Sequence, residues 1–419
     1  MKPRTYRYKV KRMKPEVQDN IEHQLSLACN LYNSCIEQRR SYWKHYQKSV
    51  SANQQMLELT EMKQELGFEE YKSMGSQVLQ DVVQRVDLAY QAYFRRIKSG
   101  DTPGYPRFKS WRRYDSLTFK QAGWKFVSKS SIQFQGIGRL KFCDSRDFPE
   151  DSIIKTITLK RDACGDGDWF ISFSLDLSKS DIPKEPKTGK TVGIDLGLLK
   201  YYTDDQGASV PNPRFLKKSE KNLKIEQRKL SKKERGGKNY EKQKVRLAKA
   251  YRKVKNARLD HQHKLARSLV QDYDLIIIEE LKIKQMIETG LLAKSIYDAG
   301  WAQFTSILIS KAEDAGKQVR LIDPKNTSQM CSNCRDIPEV KKTLADRTHK
   351  CKACGFELDR DHNAARNIKS KGRRKVRKHN SSKIKSKKDN SKAILGGKLP
   401  MGRTRLVKDS SMNQESPAF

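Results

Sequence analysis

The spacing of apolar residues changes character several times along the chain. Tyr6-Arg7-Tyr8-Lys9-Val10 alternates with a period of two and predicts a basic strand within residues 1–14. From about Lys14 to Lys98 the period is helical. Its clearest stretch is 76–97, where Val78, Val82, Val86, Ala89, Tyr93 and Ile97 recur at helical spacing and Leu79, Val83, Tyr90 and Phe94 widen the stripe. Such a stripe faces a core. Residues 100–113 hold too much Pro and Gly for a helix and read as a loop. Residues 115–180 predict short strands around 131–134, 140–142, 153–159 and 169–175, an antiparallel β-unit closed by the N-terminal strand. The Lys- and Pro-rich stretch 178–190 reads as a linker.

At Thr191 the pattern shifts again. Thr191-Val-Gly-Ile-Asp195-Leu-Gly197 is a short apolar strand that ends on an acid. A second strand is expected at 201–203 and a turn at 204–207. A long basic helical region spans 214–272, broken at Gly236-Gly237. Leu275-Ile-Ile-Ile-Glu279 is another apolar strand ending on an acid. One helix is expected over 295–316, a strand at 319–322, and a last helix from near Asp361. Residues after Lys369 are rich in Lys, Ser and Asn and have the composition of a disordered tail.

Charge narrows the partners. The 419 residues carry a net charge of +38. Residues 214–267 hold 21 Lys/Arg against 5 Asp/Glu, and 369–419 hold 16 against 3. A charge of this size fits a polyanion. Neither segment has the broad apolar face a membrane-surface helix needs, so nucleic acid is the expected partner and a membrane is not. The longest aliphatic run, Leu275-Ile-Ile-Ile278, is far too short to span a bilayer. The N-terminus has no apolar secretory core, which predicts a cytoplasmic protein. In the 100–113 loop, Tyr105, Arg107 and Lys109 interleave aromatic and basic side chains, a pattern suited to phosphate contact and base stacking. The alternative is a basic surface loop whose aromatics pack inward as anchors.

Cysteine spacing is the sharpest chemical signal. Cys331-Ser-Asn-Cys334 and Cys351-Lys-Ala-Cys354 are two knuckles sixteen residues apart, the arrangement of a tetrahedral Zn²⁺ site. Four thiolates leave no open position, so the zinc is structural. The other cysteines, at positions 29, 35, 143 and 164, show no framework of disulfides.

Asp195, Glu279 and Asp361 lie in three separated segments. Buried carboxylates at strand ends are costly unless paired, hydrogen-bonded or metal-bound. Three that converge suit two Mg²⁺ ions, which at about 3.5–4 Å apart clamp the oxygens of an in-line phosphodiester displacement. Glu279 could instead be a first-turn helix acid, and Asp359 or Asp361 a plain helix cap. Glu280 and Asp359 are the alternatives for the second and third acid. Gly193 and Gly197 flank Asp195 and leave room for close approach of backbone or phosphate. His263, alone on the basic helical region, reads as packing or phosphate contact rather than chemistry.

An ordered set of motifs carries a resemblance. It runs through Pro103-Gly-Tyr-Pro-Arg-Phe-Lys109, Gly193-Ile-Asp-Leu-Gly197, Ile276-Ile-Ile-Glu-Glu-Leu281 and Ser295-Ile-Tyr-Asp-Ala-Gly-Trp301, then the two knuckles and Asp359-Arg-Asp-His-Asn-Ala-Ala365. Across most of residues 1–370 the chain resembles TnpB, the RNA-guided nuclease of insertion sequences, related to type V CRISPR effectors. Arg335 departs from the family's usual Gly after the second cysteine. The resemblance implies a RuvC-like (RNase H-type) nuclease domain over 186–322 and 356–370, with a zinc-ribbon insertion at 323–355. It implies an oligonucleotide-binding β-barrel over 1–14 and 99–185, a helical recognition insertion over 15–98, and leaves a basic tail at 371–419. It also implies a guide RNA from the transposon end and cleavage of target double-stranded DNA beside a short motif by a monomeric protein. Asp195, Glu279 and Asp361 would be the Mg²⁺-binding catalytic acids. Ser76, Gln77 and Gln80 resemble the face that reads the duplex beside the target; Gln can pair bidentately with adenine in the major groove. A miniature CRISPR effector, or a nuclease-dead RNA-guided repressor, would share most of these features. The repressor is expected to lack one or more of the acids, and all three are present. A plain RNA-binding protein would explain the charge but give the acid-terminated strands no role.

Overall fold

The computed structural model describes residues 4–162, 168–177, 185–288, 290, 292–343 and 345–373. Cys164, most of the expected linker at 178–190, and the tail beyond 373 lie outside the described residues. The chain divides into two units, one built from 1–190, 212–275 and 282–319 and the other from 191–211, 276–281 and 320–419.

In the first unit the N-terminal strand Arg4–Lys9 pairs antiparallel with Trp169–Asp176, which pairs in turn with Ile153–Arg161 and then Ser116–Phe119. A second sheet of three strands, Trp124–Ser128, Ser131–Phe134 and Gly138–Lys141, meets the end of the same N-terminal strand through the Val10–Phe142 bridge. The expected closure by the N-terminal strand is therefore present. The strands at 116–119 and 124–128 add to the four expected. Tyr8, Phe119, Phe134, Phe142, Trp169 and Phe173 fill the interior between the sheets. Burying side chains of this size is the main stabilising term, at roughly 25 cal/mol per Å² of apolar surface removed from water.

Three helices, Pro15–Tyr46, Ala52–Met62 and Ser76–Lys98, continue this core. The expected stripe is buried as far as Tyr90. Phe94 and Ile97 are 55% and 45% exposed, so its last turn leaves the core. Helical spacing shows which side chains share a face but not how far the covering layer extends.

The basic region forms two helices, Phe215–Ser231 and Lys238–Asp272, with the break at Gly236-Gly237 as expected. The helix expected over 295–316 is two, Ala293–Ala299 and Trp301–Asp314. They part at Gly300, whose φ of +63° falls in the left-handed region. Gln262 Nε2 donates to the carbonyls of Ala299 and Gly300 at 3.2 and 3.1 Å, and it would sit 3.0 Å from any Cβ at Gly300. Gln262 thus satisfies the carbonyls that the break at Gly300 leaves free.

The second unit holds most of a five-stranded sheet in the order Ser209–Pro211, Lys200–Asp204, Thr191–Leu196, Leu275–Glu279, Gln318–Ile322. The two acid-terminated strands are neighbours, as their sequences predict. Val192, Ile194, Ile276, Ile277 and Ile278 are all buried, so these strands read as continuous apolar runs. A hairpin of Thr348–Lys350 and Glu357–Asp359 follows the first knuckle and leads directly into a helix over 360–373.

Candidate nuclease site

The last helix lies against the strand that carries Asp195. A Cβ on Gly193 would come within 2.5 Å of Ala365 O and 2.6 Å of Lys369 N. At its far end a Cβ on Gly372 would meet Ile277 Cγ2 at 2.5 Å. Of the two uses expected for Gly193, close approach of backbone or of phosphate, the structure shows the first: the space is taken by the backbone of the last helix. Gly197 sits where a Cβ would meet Lys200 O at 2.8 Å, a tight turn.

A buried acid fixes this packing. Asp205 accepts from Gly193 N at 2.9 Å, from Gln206 Nε2 at 2.9 Å, and from Lys369 Nζ. It thus joins the Asp195 strand to the helix that brings Asp361.

Asp359 is the cap of that helix. Its Oδ1 accepts from the amides of Asp361 and His362 at 2.9 and 3.0 Å, and its Oδ2 accepts from Lys200 Nζ at 3.1 Å. Burial would raise its carboxyl, but these donors outweigh that effect and hold it below the usual range. Asp361, in the first turn of the helix, is close enough to Asp195 to act on its carboxyl. The sequence left open whether Asp359 or Asp361 caps the helix, and the structure gives that role to Asp359.

Asp195 lies within electrostatic range of both Glu279 and Asp361. Desolvation lifts the Asp195 carboxyl well above the ordinary carboxylate range, and the neighbouring charges of Glu279 and then Asp361 lift it further. Glu279 is 9% exposed, and burial raises its carboxyl, opposed by a hydrogen bond from Thr327 Oγ1. Lys371 and Asp323 are the next charges to act on it. Such a concentration of buried negative charge fits cations with oxygen ligands.

The four cysteine sulfurs lie within 4.8 Å of one another, close enough to bind a single metal ion. The knuckles repeat one backbone pattern. Cys331 N donates to Asp336 O and Cys351 N to Phe356 O, at 2.8 and 2.9 Å. Arg335 N donates to Cys331 O and Gly355 N to Cys351 O, both at 3.0 Å. Arg335 has φ of +72° and Gly355 of +69°. The departure at Arg335 leaves the turn intact and places a residue with a Cβ in left-handed backbone. Hydrogen bonds from the Phe356 amide and then from Cys334 pull the Cys354 thiol down to about 6, while its sulfur neighbours push Cys334 up to about 12, the mutual influence expected of thiols this close together.

The expected nucleic-acid residues are placed variously. Tyr105 is 44% exposed and packs edge-on against Tyr90 and Tyr93. Arg107 is exposed. Lys109 lies over the Tyr32 ring at 4.3 Å, and its backbone is bracketed by Asn33. Ser76 Oγ accepts from Lys63 Nζ, Gln77 Oε1 accepts from the amides of Gln121 and Ala122, and Gln80 is exposed.

Comparison with known proteins fixes the family. Residues 173–289 match the family described as "Probable transposase", and 301–368 match "Cas12f1-like, TNB domain". The "Putative RNA-guided DNA endonuclease" of Streptomyces pristinaespiralis is 30% identical over 346 residues, covering 82% of this chain and 83% of that protein. The chain belongs to the TnpB family of RNA-guided DNA endonucleases. InsQ of Escherichia coli K12, another TnpB-family relative, is 27% identical over 72% of this chain and 75% of its own length. A cryo-EM Cas12f1–sgRNA–target DNA complex shares the fold, with a TM-score of 0.54 at 16% identity over 85% of this chain and 83% of that one. This TnpB-family chain is a mixed α/β, multidomain protein. Among its described residues no helix is long and apolar enough to cross a membrane.

Sequence reasoning passed over Thr327, Asp205, Asn363 and Asn367. The two asparagines were detectable as a polar pair one turn apart beside Ala364, Ala365 and Ile368, all buried.

Proposed function

We propose that this chain is an RNA-guided DNA endonuclease of an insertion sequence, with a RuvC-like site formed by Asp195, Glu279 and Asp361. The observation that supports the reading is the buried Asp195 carboxyl, which burial raises and the charges of Glu279 and Asp361 raise further, on strands and a helix packed together around Gly193. Divalent cations held by them, Mg²⁺ in the cell, would supply Lewis-acid stabilisation of charge on a phosphodiester under attack. The chain's own contribution is placement. Two neighbouring strands end on Asp195 and Glu279, Asp359 caps the helix that presents Asp361, and Asp205 with Lys369 holds that helix to the sheet. The four cysteines would hold a structural Zn²⁺ in a ribbon inserted between the second and third acids.

The partners follow from charge and fold. The two basic helices at 215–272 suit the backbone of an RNA–DNA heteroduplex, which such enzymes hold without reading its sequence. The two-sheet unit of the N-terminal half is the proposed oligonucleotide-binding barrel, and the helices at 15–98 its recognition insertion. Ser76, Gln77 and Gln80 are the proposed readers of the target-adjacent duplex, with Tyr105 and Arg107 contacting nucleic acid nearby in sequence. Lys109, committed to Tyr32 and Asn33, suits an anchoring role better. The protein is proposed to act as a monomer in its ribonucleoprotein.

The test is co-expression with the element's end, recovery of the bound RNA, and plasmid cleavage in Mg²⁺. Cutting that needs the RNA and a matching target, and is lost in Asp195→Ala, supports the reading. Guide-dependent binding without cutting would point to a repressor instead.

A further inference from the structure

Glu279 receives a hydrogen bond from outside both acid strands. Thr327, 2% exposed, lies in the turn between Asp323 and the first knuckle, and its Oγ1 donates to Glu279 Oε1. The same hydroxyl is 2.8 Å from Pro324 O. A hydroxyl has one proton to give, so its bond to Glu279 competes with a local one. Thr327 is itself held by the last helix. Asn367 Nδ2 donates to Thr327 O at 2.9 Å and to Met330 O at 2.7 Å. Asn363, one turn earlier, donates to Met330 O and accepts from Ser332 N, both at 2.9 Å. Asn363 and Asn367 are 0% and 2% exposed. A continuous set of buried hydrogen bonds therefore runs from the helix that carries Asp361, through the base of the cysteine ribbon, to the Glu279 carboxylate.

We propose that Thr327 is a positioning residue whose hydroxyl fixes the direction of the Glu279 carboxylate, and that Asn367 ties that direction to the helix presenting Asp361. The proposal rests on Glu279 being a catalytic acid. A Glu side chain has three rotatable bonds, and without this donor its carboxylate would be free to turn away from Asp195. The arrangement gives the ribbon a second task. Besides delivering Asp361, its base holds the acid on the other side of the site.

The test compares Thr327→Val, which keeps the shape and loses the hydroxyl, with Thr327→Ser, which keeps the hydroxyl. The full-length protein with its co-purified RNA is used throughout. In Thr327→Val the single-turnover cleavage rate is expected to fall about 10–100-fold, the usual cost of losing a partner that orients a metal ligand. Target-DNA affinity and zinc content should not change. Thr327→Ser should restore the rate to near wild type. A second readout needs no cleavage: the thermal shift on adding Mn²⁺ to wild type, Thr327→Val, Glu279→Gln and the double variant. Thr327→Val should lose much of the shift alone and nothing further on top of Glu279→Gln. Additive losses, a full Mn²⁺ shift in Thr327→Val, or a Thr327→Ser as impaired as Thr327→Val would overturn the proposal. If the wild type does not cut, the endonuclease reading fails and the thermal cycle still decides the role of Thr327.

Discussion

Replacing Gly193 with Ala tests how Asp361 reaches the site. The added methyl carbon would lie 2.5 Å from Ala365 O, 2.6 Å from Lys369 N and 2.7 Å from Lys369 Cβ. Ordinary contact begins near 3.5 Å, so the helix must retreat by about 1 Å. Two of the three opposing atoms are backbone, and no side-chain rotation can relieve them. The retreat also stretches the links from Asp205 to Gly193 N and Lys369 Nζ. Overpacking of this kind costs about 1–3 kcal/mol of stability. Moving a catalytic group by about 1 Å can cost on the order of 10²-fold in rate. The assay is single-turnover cleavage of a guide-matched plasmid, with thermal melting and zinc content measured on the same preparation. Slow cleavage with zinc retained and a modest loss of melting temperature is expected. Wild-type cleavage by Gly193→Ala would refute the claim that this contact sets the position of Asp361.

Other perturbations probe separate parts of the account. Arg335→Gly removes a non-glycine residue from φ of +72° and should stabilise the ribbon by roughly 1 kcal/mol or less, after the entropy of a freer unfolded chain is counted; slower zinc loss to a chelator would show it, and faster loss would contradict it. Asp195→Asn should abolish cleavage yet raise the melting temperature in EDTA near neutral pH. The Asp195 carboxyl is raised on folding, so its contribution is favourable while protonated and is lost as pH rises through the raised value. The gain should therefore shrink at acidic pH, and a lower melting temperature near neutral pH would refute it. Cys334→Ser should lower zinc content and cleavage together, because the ribbon hairpin runs straight into the cap of the Asp361 helix; normal cleavage with zinc retained would count against that link.

Much of the site was legible because its sequence signals are local. The short apolar runs that end on Asp195 and Glu279 read as buried strands from their own residues, and the cysteine spacing is a property of the chain itself. The features that were not legible depend on what packs against a residue from far along the chain. Gly193 read as room for backbone or phosphate alike, because nothing in its own segment shows that residues 365–369 fill the space. The helix over 295–316 looked continuous because the carbonyls freed by its break at Gly300 are met by Gln262, from another helix. Phe94 and Ile97 completed a stripe whose cover stops one turn short. Asp359 and Asp361 differ in role only through the amides that one of them caps.

The most direct measurement of the central claim is cleavage of a supercoiled plasmid by the purified ribonucleoprotein in Mg²⁺, with and without a site matching the co-purified RNA. The account predicts linear product only with the matching site, and none from Asp195→Ala, Glu279→Ala or Asp361→Ala. Undiminished cutting by any of these three variants, or cutting that ignores the guide, would contradict it.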